Sequence, residues 1–315
     1  MPHAEKFPTN ASAEGRGPRA ENCRSRRVTL LGVPYDGGSS FLAGAADAPP
    51  AIRLALASPA SNMWSERGVD LGDPALLGDA GDLDVRGAEW ARLVAEIERG
   101  VGAVADAGSV PLVLGGDHSV TYPVVRALSR RVGPLSILHF DAHPDLYPEY
   151  DGNPFSHASP FARIMEEGLA DRLVQVGIRT MNAAQRVQAE RFRVEVVPWD
   201  ALGESFALSF ASPAYVSLDL DALDPAAAPG VSHREPGGLT VRQLLGVLHR
   251  LTGRLVGADL VEYNPSRDVD GVSASVCAKL VKELAGTAVA LGPGAEGAAL
   301  NDGPGTVVSA GAVRS

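Results

Sequence analysis

Short apolar runs alternate along the chain with longer stretches whose apolar residues recur at helical spacing. Runs at residues 28–33, 110–114, 135–140, 173–176, 194–197, 215–220 and 255–261 are rich in Val, Leu, Ile and Phe and stop at Pro, Gly, Asp or Glu, so they predict strands. Between them, residues 88–107, 120–130, 182–191, 240–251 and 273–284 carry the periodicity of helices. Thr240 stands at the start of the fourth with Gln243 three residues on, the spacing of a capping box. Repeated strand and helix predict an α/β domain whose parallel sheet is covered on both faces. A closed parallel barrel satisfies the same alternation, and the pattern alone does not separate the two.

The ends break this pattern. Residues 1–26 are polar, lack an apolar period and read as a disordered N-terminal extension. Residues 286–315 are rich in Gly and Ala, carry Gly292-Pro293-Gly294 and Gly303-Pro304-Gly305, and read as a flexible tail. One catalytic domain remains over residues 27–285, long enough to bury a large core.

Charged and imidazole side chains gather directly after the predicted strands. Gly115-Gly116-Asp117-His118-Ser119 follows residues 110–114, and Asp141-Ala142-His143-Pro144-Asp145 follows 135–140. Ser217-Leu218-Asp219-Leu220-Asp221-Ala222-Leu223-Asp224-Pro225 closes the run that begins at Tyr215. Open parallel sheets bind ligands outside the carboxyl ends of their strands, so the three segments are expected to converge on one cleft. In extended backbone, residues two apart share a side, which sets Asp141 with His143 and Asp145, and Asp219 with Asp221. Carboxylates gathered this way repel one another and lose hydration unless positive charge lies between them.

A pair of divalent cations meets that need. Asp141, Asp145, Asp219 and Asp221 balance two dications, and neutral His118 and His143 add nitrogen donors. Each piece alone has an ordinary reading, a hydrogen-bonded Asp-x-His pair or a solvated turn; together they point to metal. Mixed oxygen and nitrogen donors suit Mn2+, with Ni2+ or Co2+ as alternatives, and no thiolate takes part.

Composition narrows the partners. The chain of 315 residues has a formal net charge of -10 and a pI near 5.2, which argues against nucleic acid and suits a small cationic substrate. Cys23 and Cys277 are too few for a disulfide framework. No apolar run reaches the roughly 18 residues of a membrane span and no apolar signal core opens the chain. A soluble cytoplasmic protein without a membrane partner is therefore expected. An organelle transit peptide is the alternative for residues 1–26; Glu5, Glu14 and Glu21 count against it.

The three segments resemble the signature segments of the ureohydrolases, the arginase and agmatinase family. The likeness runs from Gly32-Val33-Pro34-Tyr35-Asp36-Gly37-Gly38 to the helix ending near Glu283. Gly152-Asn153-Pro154-Phe155-Ser156-His157-Ala158-Ser159 and Ala228-Pro229-Gly230-Val231-Ser232-His233 look like the plant arginase branch. The resemblance implies a three-layer α/β/α fold around a mainly parallel sheet of about eight strands. It implies two divalent metal ions that activate a water against the carbon of a small guanidino compound. One ion would be held by His118, Asp141, Asp145 and Asp219, and the other by Asp141, His143, Asp219 and Asp221, with Asp141 and Asp219 bridging. Asp145 would carry a proton to the leaving amine, Glu262 would clamp the guanidinium, and His157 would shuttle protons at the cleft mouth. A homo-oligomer, trimer or hexamer, is the family's usual assembly.

Substrate choice is read from the neighbouring residues. Animal-type arginases hold the amino-acid head group through an Asn where this chain has Tyr147, while Glu235-Pro236-Gly237-Gly238-Leu239 and Gly177-Ile178-Arg179-Thr180 look more like agmatinases. The resemblance therefore favours agmatine, cleaved to putrescine and urea. Arginase and other guanidino-acid or guanidine hydrolases are the alternatives. Beyond them stand a formimidoylglutamase, told apart by formamide release, a single-zinc amidohydrolase of histone-deacetylase type, told apart by metal stoichiometry, and a non-catalytic metal-binding module. His139 reads as structural, His233 as a border of the pocket, Asp117, Ser119 and Asp224 as supports of their loops, and Asp79 and Asp82 as turn formers.

Overall fold

The computed structural model describes residues 27–203 and 205–292; the expected N-terminal extension and nearly all of the expected tail lie outside the described residues. The strands are β1 Val28–Gly32, β2 Leu77–Asp82, β3 Val110–Leu114, β4 Leu135–Phe140, β5 Ala170–Val176, β6 Glu195–Val197, β7 Leu208–Ser209, β8 Ala214–Asp219, β9 Leu251–Thr252 and β10 Leu255–Val261. The helices are α1 Ala48–Leu56, α2 Trp90–Asp106, α3 Thr121–Val132, α4 Pro160–Glu166, α5 Ala183–Phe192, α6 Val241–His249 and α7 Val272–Leu291. Eight strands form one parallel sheet in the order β2-β1-β3-β10-β8-β4-β5-β6, and β7 pairs with β9 apart from it. The sheet is open, with edges at β2 and β6, which excludes the barrel.

Every position of β3, β4, β8 and β10 is buried, as a sheet covered on both faces requires. Alternate residues feed two cores. Leu112, Leu138, Phe140, Leu218 and Leu260 pack with Ile52 of α1, Leu244 and Leu248 of α6, and Leu280 and Leu284 of α7. Val113, Ile137, Tyr215 and Val261 pack on the other face with Ile97 of α2, Leu128 of α3, Phe161 of α4 and Ala189 of α5. Each fully buried Leu, Ile or Phe contributes roughly 1.5–3 kcal/mol, so the two apolar faces hold the three layers together.

β2, α1 and α4 lie outside the strands and helices expected from the sequence, as do the two-residue strands β7 and β9. The segment Leu77-Gly78-Asp79-Ala80-Gly81-Asp82 has poor strand propensity, yet it forms β2 because it is an edge strand in register with β1, Val28 opposite Leu77. Asp79 and Asp82, expected as turn formers, are strand residues tied to Arg53 of α1, with Arg53 Nε 2.7 Å from Asp79 Oδ2. No helix is among those expected at Pro49 and Pro50, but proline in the first turn of a helix gives up no hydrogen bond, and α1 starts there. α4 spans 7 residues, too few to show a period.

The capping box of Thr240 and Gln243 opens α6 as expected, and a second one, Asn182 with Gln185, opens α5. α7 continues to Leu291, past the expected boundary at residue 285. Gly286 lies inside it where the helix packs closely: an added Cβ would sit 2.8 Å from the Ser65 side chain. β3 and β4 follow each other in the chain, but β10 and β8 lie between them in the sheet. The carboxyl ends of these four strands therefore border one crevice, the place where such sheets bind ligands.

Candidate metal centre

Each chemical group enters this crevice from the end of a central strand. After β3 the backbone runs so close to Tyr35 that a Cβ at Gly116 would lie 1.6 Å from the Tyr35 carbonyl oxygen, so only glycine fits. Asp117 then caps a short 3-10 turn, accepting from the Ser119 N–H at 3.0 Å and the Gly38 N–H at 2.7 Å, and the turn carries His118 inward. After β10, the Glu262 N–H donates to the Gly116 carbonyl at 2.8 Å, and its Oε1 accepts from the His118 N–H at 2.9 Å. Asp224 accepts from the N–H groups of Ala226, Gly237 and Gly238, fixing the loop beyond β8.

The tautomer of His118 follows from its partners. Ser217 Oγ donates to Asp259 Oδ1 at 2.8 Å, because a carboxylate only accepts. The Ser217 oxygen, 3.0 Å from His118 Nε2, is therefore the acceptor for an Nε2–H, and in the neutral ring Nδ1 is left as a bare lone pair. That buried Nδ1 has no hydrogen-bond partner. It faces Asp145 Oδ2 at 3.0 Å and Asp141 Oδ2 and Asp219 Oδ2 at 3.2 Å each. A lone pair against three carboxylate oxygens is repulsive, and a cation at their common focus reconciles them. His143 Nδ1 makes a second focus, 3.0 Å from Asp221 Oδ2 and 3.4 Å from Asp141 Oδ1. Asp141 thus turns one oxygen to each.

Titration carries the same message. Without cations beside them, His118 and His143 would be held well above the ordinary histidine range, because the surrounding carboxylates override the burial that opposes protonation; protons would then stand in for the cations. Burial first, then the charges of Asp221 and Asp141, pushes Asp219 well up; burial and Asp141 push Asp221 up to about 6. The four carboxylates therefore draw positive charge to both foci, and with neutral imidazoles as nitrogen donors the set fits two dications. Asp141, His143 and Asp221 gather at one focus, and His118, His139 and Asp141 at another. His139 spends both ring nitrogens on hydrogen bonds, to Gln175 and to Asp141, so it has no lone pair for a metal, and Asp145 and Asp219 complete the set around His118.

A cleft of about 250 Å³ opens above this floor. His143, Asp145, Asp219, Asp221, His157 and Glu262 line its depth, and Tyr147, Tyr150, Thr180, Gln185 and Glu235 lie around the rest. Neither Lys nor Arg lines it, so it suits a cationic group. His157 Nδ1 lies 3.0 Å from Glu262 Oε1 and Nε2 2.8 Å from Ser40 Oγ. Burial disfavours its charge, but Glu262, Asp145 and Asp117 outweigh that and raise His157 to about 9. His233 borders the cleft, its ring centroid 5.2 Å from that of His157 and 5.9 Å from that of His143.

The structure thus brings His118, Asp141, His143, Asp145, His157, Asp219, Asp221 and Glu262 together. Sequence reasoning passed over Ser217, Asp259 and Gln175, and set His139 aside as structural although it donates to Asp141 at 2.8 Å. Asp259 had a signal: a carboxylate inside an apolar run that forms a buried strand must be satisfied there. It accepts from Thr121, Tyr215 and Ser217.

A model of the arginase family matches residues 26–286. The chain belongs to the arginase family. As a member it is an amidinohydrolase, a hydrolase of the carbon–nitrogen bond of linear amidines, and its eight-stranded parallel sheet between helix layers is the arginase fold. The arginase-family protein most informative for comparison is a mitochondrial arginase 1 of Arabidopsis thaliana, 50% identical over 273 residues that span 82% of this chain and 80% of the relative. A guanidinopropionase of Pseudomonas aeruginosa is 40% identical over 274 residues, 82% of this chain and 85% of the relative. Among solved structures, the arginase from Medicago truncatula matches with a TM-score of 0.79 at 47% identity, covering 85% of this chain and 89% of that one.

Two expectations change on these findings. Plant relatives at 49–50% identity carry the name arginase, so the lean towards agmatine and polyamine chemistry is not supported. The expectation of a cytoplasmic protein is overturned: the A. thaliana relative is a mitochondrial arginase, as is that of M. truncatula.

Proposed function

We propose that this arginase-family chain hydrolyses L-arginine to L-ornithine and urea with two manganese ions between the ends of β3, β4 and β8. The observation that carries the chemistry is the bare, buried Nδ1 of His118 turned towards three carboxylate oxygens. His118, Asp141, Asp145 and Asp219 would hold one ion, and Asp141, His143, Asp219 and Asp221 the other. When bound, the ions supply the positive charge that makes a water nucleophilic near neutral pH.

Asp145 lies on both the floor and the cleft, so it takes the proton the water loses and returns it to the departing amine nitrogen, a poor leaving group without it. Water adds to the guanidino carbon, the bond from that carbon to the substrate's chain nitrogen breaks, and urea and a primary amine result. Glu262 Oε1 is committed to His118 and His157; Oε2 has no donor among the described residues and accepts from the guanidinium, orienting its carbon. His157 connects Glu262 to Ser40 and relays protons along the cleft wall.

Arginine is favoured over agmatine by the 50% identity with a plant arginase and by the cleft. Tyr147, Tyr150 and Gln185 offer neutral donors for a substrate carboxylate, and Glu235 offers a charge for its ammonium. The test is urea release by manganese-loaded protein from arginine, agmatine, 4-guanidinobutyrate and 3-guanidinopropionate. Arginine is expected to give the highest kcat/KM. Preference for another of the four sinks the substrate, and no urea from any sinks the activity.

A further inference from the structure

Four strands carry polar side chains at one level of the sheet, on the face covered by α2, α3 and α4. The parallel register sets Asp259 beside Ser217, Ser217 beside His139, and His139 beside Gln175. All four are fully buried, and buried polar groups are costly unless bonded. Ser217 and Asp259 serve His118; the other two serve Asp141.

Gln175 Nε2 lies 2.7 Å from the Pro144 carbonyl oxygen and 3.0 Å from His139 Nδ1. A carbonyl only accepts, so the amide nitrogen must face it; the reverse orientation would press two acceptors together. The second amide N–H then points at His139 Nδ1, which must be the unprotonated nitrogen. The proton of neutral His139 consequently sits on Nε2, 2.8 Å from Asp141 Oδ2, and is donated to it. Gln175 Oε1 is left buried with no partner, so the amide keeps this orientation against a desolvation penalty. Phe161 stacks on the imidazole with ring centroids 3.9 Å apart and fixes its plane.

We propose that Pro144, Gln175 and His139 form a positioning relay that holds the Asp141 carboxylate with one oxygen towards each metal ion. The proposal rests on the dinuclear reading above. Asp141 stands among Asp145, Asp219 and Asp221, whose repulsion would turn it aside; an N–H from behind opposes that rotation. Because Pro144 separates His143 from Asp145, the same amide anchors the loop that presents two further donors to β5. Gln175 and His139 touch neither substrate nor metal in this scheme and act through Asp141.

The direct test is neutron diffraction from crystals of the full chain. A proton on His139 Nε2 and none on Nδ1 is expected, and a protonated Nδ1 overturns the relay. His139→Phe keeps an aromatic ring against Phe161 but removes both nitrogens; its Mn2+ affinity, measured by equilibrium dialysis, is expected to fall about 10- to 100-fold. His139→Gln returns one N–H at similar reach and is expected to recover most of that loss. Unchanged affinity in His139→Phe, or no recovery in His139→Gln, overturns the relay. If His139→Phe fails to fold, Gln175→Leu with His139 intact replaces it: weakened Mn2+ affinity supports the relay, and unchanged affinity overturns it. Wild-type protein that binds no Mn2+ would instead sink the dinuclear reading, an outcome distinct from a wrong tautomer.

Discussion

Asp145 and Glu262 are not glycines, yet both hold left-handed backbone, with φ of 50° and 62°. Such conformations cost about 1–3 kcal/mol each and persist where surrounding structure over-determines them, as around reacting groups. Both side chains line the cleft. Asp145→Asn keeps the shape but cannot carry a proton, so kcat for urea release at saturating arginine is expected to fall about 100-fold or more; a rate within a few-fold of wild type removes Asp145 from the role. Glu262→Gln weakens the grip on the guanidinium, and a rise in KM larger than the fall in kcat is expected in the same assay; an unchanged KM contradicts the clamp. The charged members of the site were legible in the sequence because three such segments, each ordinary alone, follow apolar runs that one parallel sheet brings together. Gln175 and Ser217 were not, since a neutral polar residue inside a strand acquires meaning only from its neighbours across the sheet.

Among the elements, the loop holding Glu66 is tied to two helices at once. Glu66 Oε1 lies 3.0 Å from Arg242 Nη2 on α6 and 3.0 Å from Lys279 Nζ on α7. Hydrogen bonds from Arg242, then Lys279, hold its carboxyl down to about 2. The folded value lies below the unfolded one near 4.5, so the stabilisation is complete above pH 4.5 and disappears as pH falls towards 2. The pair is partly exposed, so Glu66→Gln is expected to lower Tm at pH 7 by no more than about 2–4 °C. Calorimetry of both proteins should show that gap closing between pH 4.5 and 2; a gap that stays constant would contradict the linkage. The strands buried on both faces were readable as continuous apolar runs, and β3, β4 and β10 have the expected bounds. β2 was not, because pairing with β1 and Arg53 make it a strand against its own composition.

At the scale of the molecule, the proposed ions are also ligands of the fold. Chelation should leave the buried carboxylates facing one another, so Mn2+-loaded protein is expected to melt above the chelated form by an amount that grows with free Mn2+, about 2.7 kcal/mol at 100 times Kd. Melting that is indifferent to Mn2+ would contradict the site. The layered α/β class was legible from alternation, whereas strand order was not, since a period records which face a residue occupies and not which strand lies beside it. That order has a consequence for biosynthesis. Among the described residues β10 is the last strand to leave the ribosome, yet it belongs in the middle. Without it, β2-β1-β3 and β8-β4-β5-β6 would be two half-sheets with unsealed rims; the first bears His118, and the second bears Asp141, His143, Asp145, Asp219 and Asp221. The cleft is the seam where they close, and the closing strand brings the carboxylate of Asp259 beneath Ser217 and that of Glu262 against His118. A chain cut before β10 would hold the proposed metal donors without the strand that joins them, so assembly of the site is tied to completion of the sheet.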